Sequence, residues 1–296
     1  MGGDFAPRAV VDGAVAAARR SGWSLLLVGR EPEVRAELDR HDLDGLDLVV
    51  EHASEVIAMD DPAPAAAVRR SQDCSIVRGM RLLRDGRADA FVTVGHTGAT
   101  LAGAMFRLGR QRGVLRPALA TPFPTLQGPC LLLDVGANAD VRPEHLAQFA
   151  VMGAAYAESV LGVARPRVGL VSNGEERGKG NSDVKEALPL LEATDLHFVG
   201  NIEGRDIPLG KADVAVMDGF TGNVVIKFAE GVGTLVGQML REAVGRDPLA
   251  ALGSLAMSRS LARLRQRMDY RAYGGAVLLG VRGVVVIGHG RSDGEG

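Results

Sequence analysis

Cys130-Leu-Leu-Leu-Asp134-Val-Gly136-Ala-Asn138-Ala-Asp140 is an apolar run that ends on a carboxylate and then turns polar and glycine-rich. A short continuous apolar run closed by such a turn reads as a strand buried on both faces, Cys130–Val135. The pattern recurs. Asp89–Val94 leads into Gly95-His96-Thr97-Gly98, and Arg167–Val171 leads into Asn173-Gly-Glu-Glu-Arg-Gly-Lys-Gly-Asn181. Asp213–Met217 leads into Asp218-Gly-Phe-Thr-Gly-Asn223. Ser24–Gly29, Asp47–Val50 and Gly283–Ile287 complete the predicted strands. Helical stretches lie between them. Pro143–Leu161 has proline at a fitting first position, Gly162 just past its end, and Leu146, Phe149, Met152 and Tyr156 at helical spacing. Gly98–Leu108 and Thr221–Val244 read as two more helices. This alternation predicts an α/β fold with a mainly parallel sheet covered on both faces.

Composition narrows the function. The 296 residues, 46% hydrophobic, suffice for a sizeable core, and a formal net charge of −2 argues against bulk nucleic-acid binding. The two cysteines, Cys74 and Cys130, stand far apart in apolar settings, a pattern of neither metal nor disulfide, which suits a reducing cytoplasm. No apolar run reaches membrane-spanning length and no signal peptide is predicted.

In open parallel sheets ligands bind beyond the carboxyl ends of the strands, so four polar loops at such ends predict one pocket. Glycine amides and helix N-termini suit an anion such as phosphate. Lys179 and Arg205 are candidates to offset its charge. Amides near Gly98, Gly136 and Gly222 are candidate donors, and Asn138, Asn173, Asn181 and Asn223 could orient reactants without adding charge. Familiar catalytic motifs fail. Gly290-Arg-Ser292-Asp-Gly294 matches a nucleophile elbow, but an elbow needs a helix next and an Asp/Glu and a histidine later, and the sequence stops at Gly296. Gly174–Gly178 followed by Lys179 is one residue short of a P-loop and lacks the Ser/Thr. A reaction needing no protein nucleophile fits: orthophosphate attacks a thioester carbonyl while the protein holds both partners and steadies the oxyanion.

The order of many short motifs resembles the phosphate acyltransferase family of bacterial glycerolipid synthesis. They include Met1-Gly-Gly-Asp4, Arg116-Pro-Ala-Leu119, Leu133–Asp140, Gln148–Gly153, Val199–Asp206, Asp218–Asn223 with Lys227, and Tyr273-Gly-Gly275. The resemblance implies a three-layer α/β/α fold, isocitrate/isopropylmalate dehydrogenase-like and phosphotransacetylase-like, as one domain over 1–296 with a cleft between two lobes. It implies acyl carrier protein and inorganic phosphate as substrates, no cofactor and no metal. Lys179, Asn223, Asn138 and His96 become the catalytic candidates. Gly3, Asp4, Thr97, Gly98, Asp134, Gly136, Asn173, Glu175, Gly180, Asn181, Glu203, Arg205, Asp218, Gly222 and Lys227 become the substrate-binding candidates. A homodimer, cytoplasmic and peripherally bound to membrane lipid, feeding a downstream glycerol-3-phosphate acyltransferase, is implied as well.

The family pattern has asparagine where this chain has His96, a strand ahead of Met-Gly-Gly-Asp and a helix after His289-Gly290. The expectation is a fragment or a misassigned start codon. Residues 247–273 interleave Leu249, Leu252, Leu255 and Leu261 with Arg259, Arg263, Arg265 and Arg267. That composition predicts a protruding amphipathic helical segment, packed on a second subunit or lying on anionic lipid. Two other functions stay open. One is an oxidoreductase of the same fold group, with Asp134, Asp140 and Asp218 as metal candidates; the other is a non-catalytic membrane scaffold.

Overall fold

A computed structural model describes residues 1–246, 257 and 275–288. Two compact units emerge: residues 1–117 with 274–296, and residues 118–273. Segment 247–273, expected to protrude as an amphipathic helix, lies outside the described residues apart from Met257.

The chain enters the first unit through α1 (Arg8–Ser21), β1 (Leu25–Gly29), α2 (Glu31–Leu38) and β2 (Leu48–His52). β1 and β2 pair in parallel, Leu25 opposite Leu48. Val11, Val15, Leu27, Val34 and Leu38 form the core beneath them, because α1 places its apolar residues one turn apart. α3 (Pro64–Arg70), α4 (Ser75–Arg84), β3 (Ala90–Thr93) and α5 (Thr97–Gly103) follow. The helix expected over Gly98–Leu108 is therefore shorter: after Gly103 the backbone widens into a π-helical turn, Ala104–Leu108.

The second unit begins with β4 (Ala118–Thr125) and β5 (Gly128–Leu133), an antiparallel hairpin. β4 contains Pro122 and Pro124. Prolines cannot donate to a ladder and hide a strand from pattern reading, so β4 was not expected. Then come α6 (Pro143–Ser159), β6 (Arg167–Val171), α7 (Ser182–Glu192), β7 (His197–Ile202), the short α8 (Asp206–Leu209), β8 (Val214–Val216) and α9 (Gly219–Arg246). β5 pairs with β8, β8 with β6 and β6 with β7, all parallel. Leu131, Leu132, Leu133, Val168, Leu170 and Val214–Val216 are essentially inaccessible to solvent, as expected of parallel strands covered on both faces. α6 seats Leu146, Phe149, Ala150, Gly153, Ala154 and Ala157 inward. A side chain at Gly153 would meet Val214 Cγ1 at 2.7 Å, so the helix lies close on the sheet only because that position is bare. Met152 and Tyr156, expected on this stripe, are half-buried at its margin.

The chain then rejoins the first unit with β9 (Ala276–Leu279) and β10 (Val284–Ile287). β10 pairs in parallel with β3 and antiparallel with β9. Like β4, strands β7 and β9 were not expected: β7 carries Gly200 and Asn201, and β9 is only four residues long.

Candidate functional site

Parallel pairing fixes where the loops emerge. In the second unit the loops after β5, β8, β6 and β7 leave the sheet at the same edge, in that spatial order. At about 4.8 Å per strand the row spans roughly 14 Å. Asn138 follows β5, Asn223 follows β8, Lys179 follows β6 and Arg205 follows β7. All four therefore sit along one rim.

The loop after β5 is organised around Asp134, which is fully buried. Its Oδ1 accepts from the amides of Leu119, Gly136 and Ala137 at 3.0, 3.1 and 3.0 Å. Its Oδ2 accepts from Asn138 N and Asn138 Nδ2, both at 2.8 Å. Burial pushes the carboxyl above its ordinary value, and the Ala137 amide, the Asn138 side chain and the Leu119 and Gly136 amides oppose that. Every partner is a donor, so the carboxylate is the form this cage fits. Asp134 thus holds the loop and Asn138 in shape.

The start of α9 locks against this loop. Gly219 N donates to Asn138 O at 2.7 Å. A Cβ at Gly219 would lie 2.8 Å from Asn138 backbone atoms, and one at Gly222 only 1.9 Å from Asp134 O. A Cβ at Gly136, whose φ is +142°, would stand 3.9 Å from Asn223 Cβ. Asp218 caps the helix: Thr221 N donates to its Oδ1 at 2.8 Å and Thr221 Oγ1 to its Oδ2 at 2.7 Å. Asp134, Gly136, Asn138, Asp218, Gly222 and Asn223 are accordingly brought together.

The loop after β6 folds on itself. Gly180 N donates to Asn173 Oδ1 at 2.8 Å, and Asn181 caps α7 by accepting from Val184 N at 2.9 Å. The exposed Lys179 ammonium has no ion-pair partner among the described residues. A cavity of about 360 Å3 connects this loop with the other two, lined by Asp140, Asn181, Asp183, Asp218, Phe220 and Thr221 among others. Asn181 and Asp218 belong to the expected set. Asp140 was weighed only as a metal ligand, and Asp183 and Thr221 were missed. The Asp218-x-x-Thr221 spacing is a helix-cap signature that could have found Thr221.

The end of β7 is different in character. Arg205 Nε pairs with Glu203 Oε2 at 2.6 Å, and Lys211 Nζ bridges Glu175 at 2.9 Å and Asp206 at 3.4 Å. Carboxylate oxygens of Glu175, Glu203 and Asp206 lie within 4.8 Å of one another. The Lys211 ammonium already sits among them, and its pKa is raised first by the Glu175 hydrogen bond. Arg205 is engaged rather than idle. Nearby Asn201 is 4% exposed and donates to Glu176 O, while its Oδ1 has no partner. Lys227 lies further along α9 and pairs with Glu230 at 3.0 Å.

The first unit holds the remaining candidates. His96 caps α5: Gly98 N donates to His96 Nδ1 at 3.0 Å, which leaves the ring proton on Nε2. Thr97 opens that helix. A Cβ at Gly3 would press on Val94 Cγ2 at 2.7 Å, so Met1–Gly3 lies against the β3–α5 loop, with Asp4 exposed beside it. Of the donor amides expected near Gly98, Gly136 and Gly222, the glycines' own are spent internally: Gly98 N on His96, Gly136 N on Asp134 and Gly222 N on Asp218 O. Of the aspartates weighed as metal ligands, Asp134 is enclosed by N–H donors and Asp218 accepts from Thr221 N and Oγ1, while Asp140 lines the cavity. No cysteine is available as a nucleophile: both are buried, and burial pushes the Cys130 thiol up to about 12.

A family model described as fatty acid synthesis protein matches residues 1–296. The chain is 48% identical over 293 residues to the phosphate acyltransferase of Geobacter sulfurreducens, covering 99% of this chain and 84% of that protein. The chain belongs to the phosphate acyltransferase family. A second family member, from Pelotomaculum thermopropionicum, is 49% identical over 292 residues, covering 99% and 85% of the two chains. Among solved structures the chain is similar to a phosphotransacetylase from Streptococcus pyogenes, with TM-score 0.64, 18% identity and 97% and 86% coverage. It is also similar to a branched-chain phosphotransacylase from Enterococcus faecalis, with TM-score 0.59, 15% identity and 99% and 92% coverage. Those likenesses establish the fold: the three-layer α/β/α, phosphotransacetylase-like arrangement expected for the family.

Proposed function

We propose that the chain transfers a fatty acyl group from acyl carrier protein to orthophosphate, giving acyl phosphate and the free carrier thiol for phospholipid synthesis. The observation that carries the reading is the shared rim, where Lys179, without an ion pair among the described residues, and the asparagines Asn138, Asn173, Asn181 and Asn223 stand at the ends of neighbouring parallel strands. Family membership over the whole chain supports acyl transfer to phosphate. A phosphate oxygen attacks the thioester carbonyl carbon, the tetrahedral oxyanion collapses, the C–S bond breaks and the carrier thiol takes a proton. Lys179 offsets the charge of the acceptor, and the side-chain amides of Asn173, Asn181 and Asn223 orient it, while Asn138, whose amide donates to Asp134, keeps the loop after β5 in place. Because the Gly98, Gly136 and Gly222 amides are occupied, side-chain donors take a larger share of this work. Asp134 and His96 act by holding their loops in shape. With no nucleophilic cysteine on hand, phosphate attacks directly and no acyl-enzyme forms.

The product is a mixed anhydride that a downstream glycerol-3-phosphate acyltransferase at the membrane consumes. The chain works in the cytoplasm as a homodimer with peripheral contact to lipid. Support comes from α9, where Phe228, Leu235 and Met239 are 72%, 57% and 61% exposed. An apolar face of that kind calls for a covering partner. Among the described residues no helix is long and apolar enough to cross a membrane.

The test is direct. Palmitoyl-loaded acyl carrier protein and the full chain should release thiol only when phosphate is added, with acyl phosphate identified directly by its mass. Release at the same rate without phosphate would defeat the proposal.

A further inference from the structure

The first unit carries a basic loop between its π-helical turn and the second unit's first strand. Residues 107–117, Arg-Leu-Gly-Arg-Gln-Arg-Gly-Val-Leu-Arg-Pro, contain four arginines and no acidic residue. Arg110, Arg112 and Arg116 are exposed, and so is Arg282 on the turn before β10. Arg110, Arg112 and Arg282 form no ion pair with any described residue. On a chain of net charge −2 this is a local concentration of one sign.

The loop is held rigidly. Arg110 pairs with Val281 as an antiparallel bridge, Gln111 N donates to Gly280 O at 2.9 Å and Arg282 N to Gly109 O at 3.0 Å. Arg282 Nε donates to Arg110 O at 3.1 Å, and the Arg110 guanidinium donates to Leu115 O. Gly109 and Gly113 adopt φ of +80° and +87°, the left-handed region that lets the loop double back. A pinned loop presents its guanidinium groups without first having to be ordered, which favours binding.

We infer that Arg110, Arg112, Arg116 and Arg282 form the docking surface for a carboxylate-rich face of the protein that delivers the acyl thioester. The inference rests on the proposed donor being carrier-borne. Guanidinium forks match carboxylates two bonds at a time, and opposite charge speeds diffusional encounter. A lipid surface fits less well. Segments that lie on membranes set an apolar face beside their charges, whereas Leu115 is the only large exposed apolar side chain in residues 107–117. Neighbouring Phe106 is already stacked by Arg69, 4.7 Å from its ring centre. β10 separates this loop from the His96 loop: Val284 pairs with Ala90 and Ile287 with Thr93. The docking surface and the His96 loop therefore lie about 13 Å apart, at opposite ends of one strand pair, so the donor must present its thioester on an extended arm.

The test compares two substrates on the full-length enzyme: palmitoyl thioester on purified acyl carrier protein, and palmitoyl-pantetheine, which has no protein face. Arg112→Glu, whose side chain makes no hydrogen bond or ion pair with a described residue, and the double variant Arg110→Glu/Arg112→Glu are assayed with each. With the carrier substrate KM should rise roughly tenfold or more with kcat kept, and the difference should shrink as salt is raised. With palmitoyl-pantetheine both constants should stay at the wild-type values. Equal damage with both substrates would mean a structural loop, and no change with either would mean no docking there; each overturns the inference. So does an unchanged carrier KM accompanied by lost binding to phosphatidylglycerol vesicles, which would make this a lipid surface. The parent reading fails separately: a wild-type enzyme active on palmitoyl-pantetheine but not on the carrier substrate refutes the carrier as donor, and one inactive on both refutes acyl transfer.

Discussion

Lys179 is the residue on which the proposed chemistry leans most, because it is an exposed rim cation with no ion-pair partner among the described residues. Lys179→Ala should raise KM for phosphate about tenfold, an effect of ~1.4 kcal/mol, while KM for the acyl donor moves little. Initial rates at varied phosphate check this, and an unchanged phosphate KM would move the acceptor elsewhere. Gly222 shows the opposite kind of importance. A methyl group there would stand 1.9 Å from Asp134 O, so Gly222→Ala should destabilise by ~3 kcal/mol or more or fail to accumulate folded. Chemical denaturation against wild type measures it. The sequence made both residues visible but not their division of labour. Asp134, Gly136, Asn138 and Asp218 read as ligand groups because they are polar and follow strands. Three-dimensional closeness is what turns the two aspartates into internal hydrogen-bond hubs, and spacing along the chain does not encode that.

At the scale of elements, strands β6 and β8 are tied at their starts by one ion pair. Asp213 accepts from Arg167 N and Nε through Oδ2 at 2.8 and 3.0 Å, and from Arg167 Nη2 through Oδ1 at 2.8 Å. Burial alone would raise the Asp213 carboxyl; the Arg167 side-chain and backbone bonds and the charge of Arg167 outweigh it, and the pKa falls below the ordinary value. A native pKa lowered in this way contributes stability above the unfolded carboxylate's titration, about pH 4, which is lost as pH drops through the lower native value. Asp213→Asn should therefore melt earlier than wild type at pH 7, with the gap narrowing below about pH 4. Melting curves across pH 2–7 decide it, and a gap constant with pH would mean the carboxylate charge is immaterial. The buried central strands were legible because parallel strands covered on both faces leave continuous apolar runs. β4 was not, because Pro122 and Pro124 disguise it. The Gly98–Leu108 helix was legible in place but not in pitch, since widening after Gly103 leaves the apolar pattern almost unaltered.

For the molecule as a whole, the family was legible because many short motifs keep their order, and comparison bears that out across residues 1–296. What pattern reading could not supply was which apolar residues stay uncovered. α9 is 28 residues long, and beyond Gly222 none of its residues through Val244 is buried. If α9 closes the proposed homodimer, Phe228→Asp, on a side chain 72% exposed, should leave the fold intact yet shift the protein toward monomer. Light scattering coupled to size exclusion reads that shift, and an unshifted mass would mean α9 is not the dimer seam. A helix that the described residues leave bare also changes what a melting temperature means for this protein. If a second copy covers it, association and folding share one equilibrium, and stability follows mass action. A sample diluted tenfold should then melt earlier, and preparations measured at different strengths would disagree without either being in error.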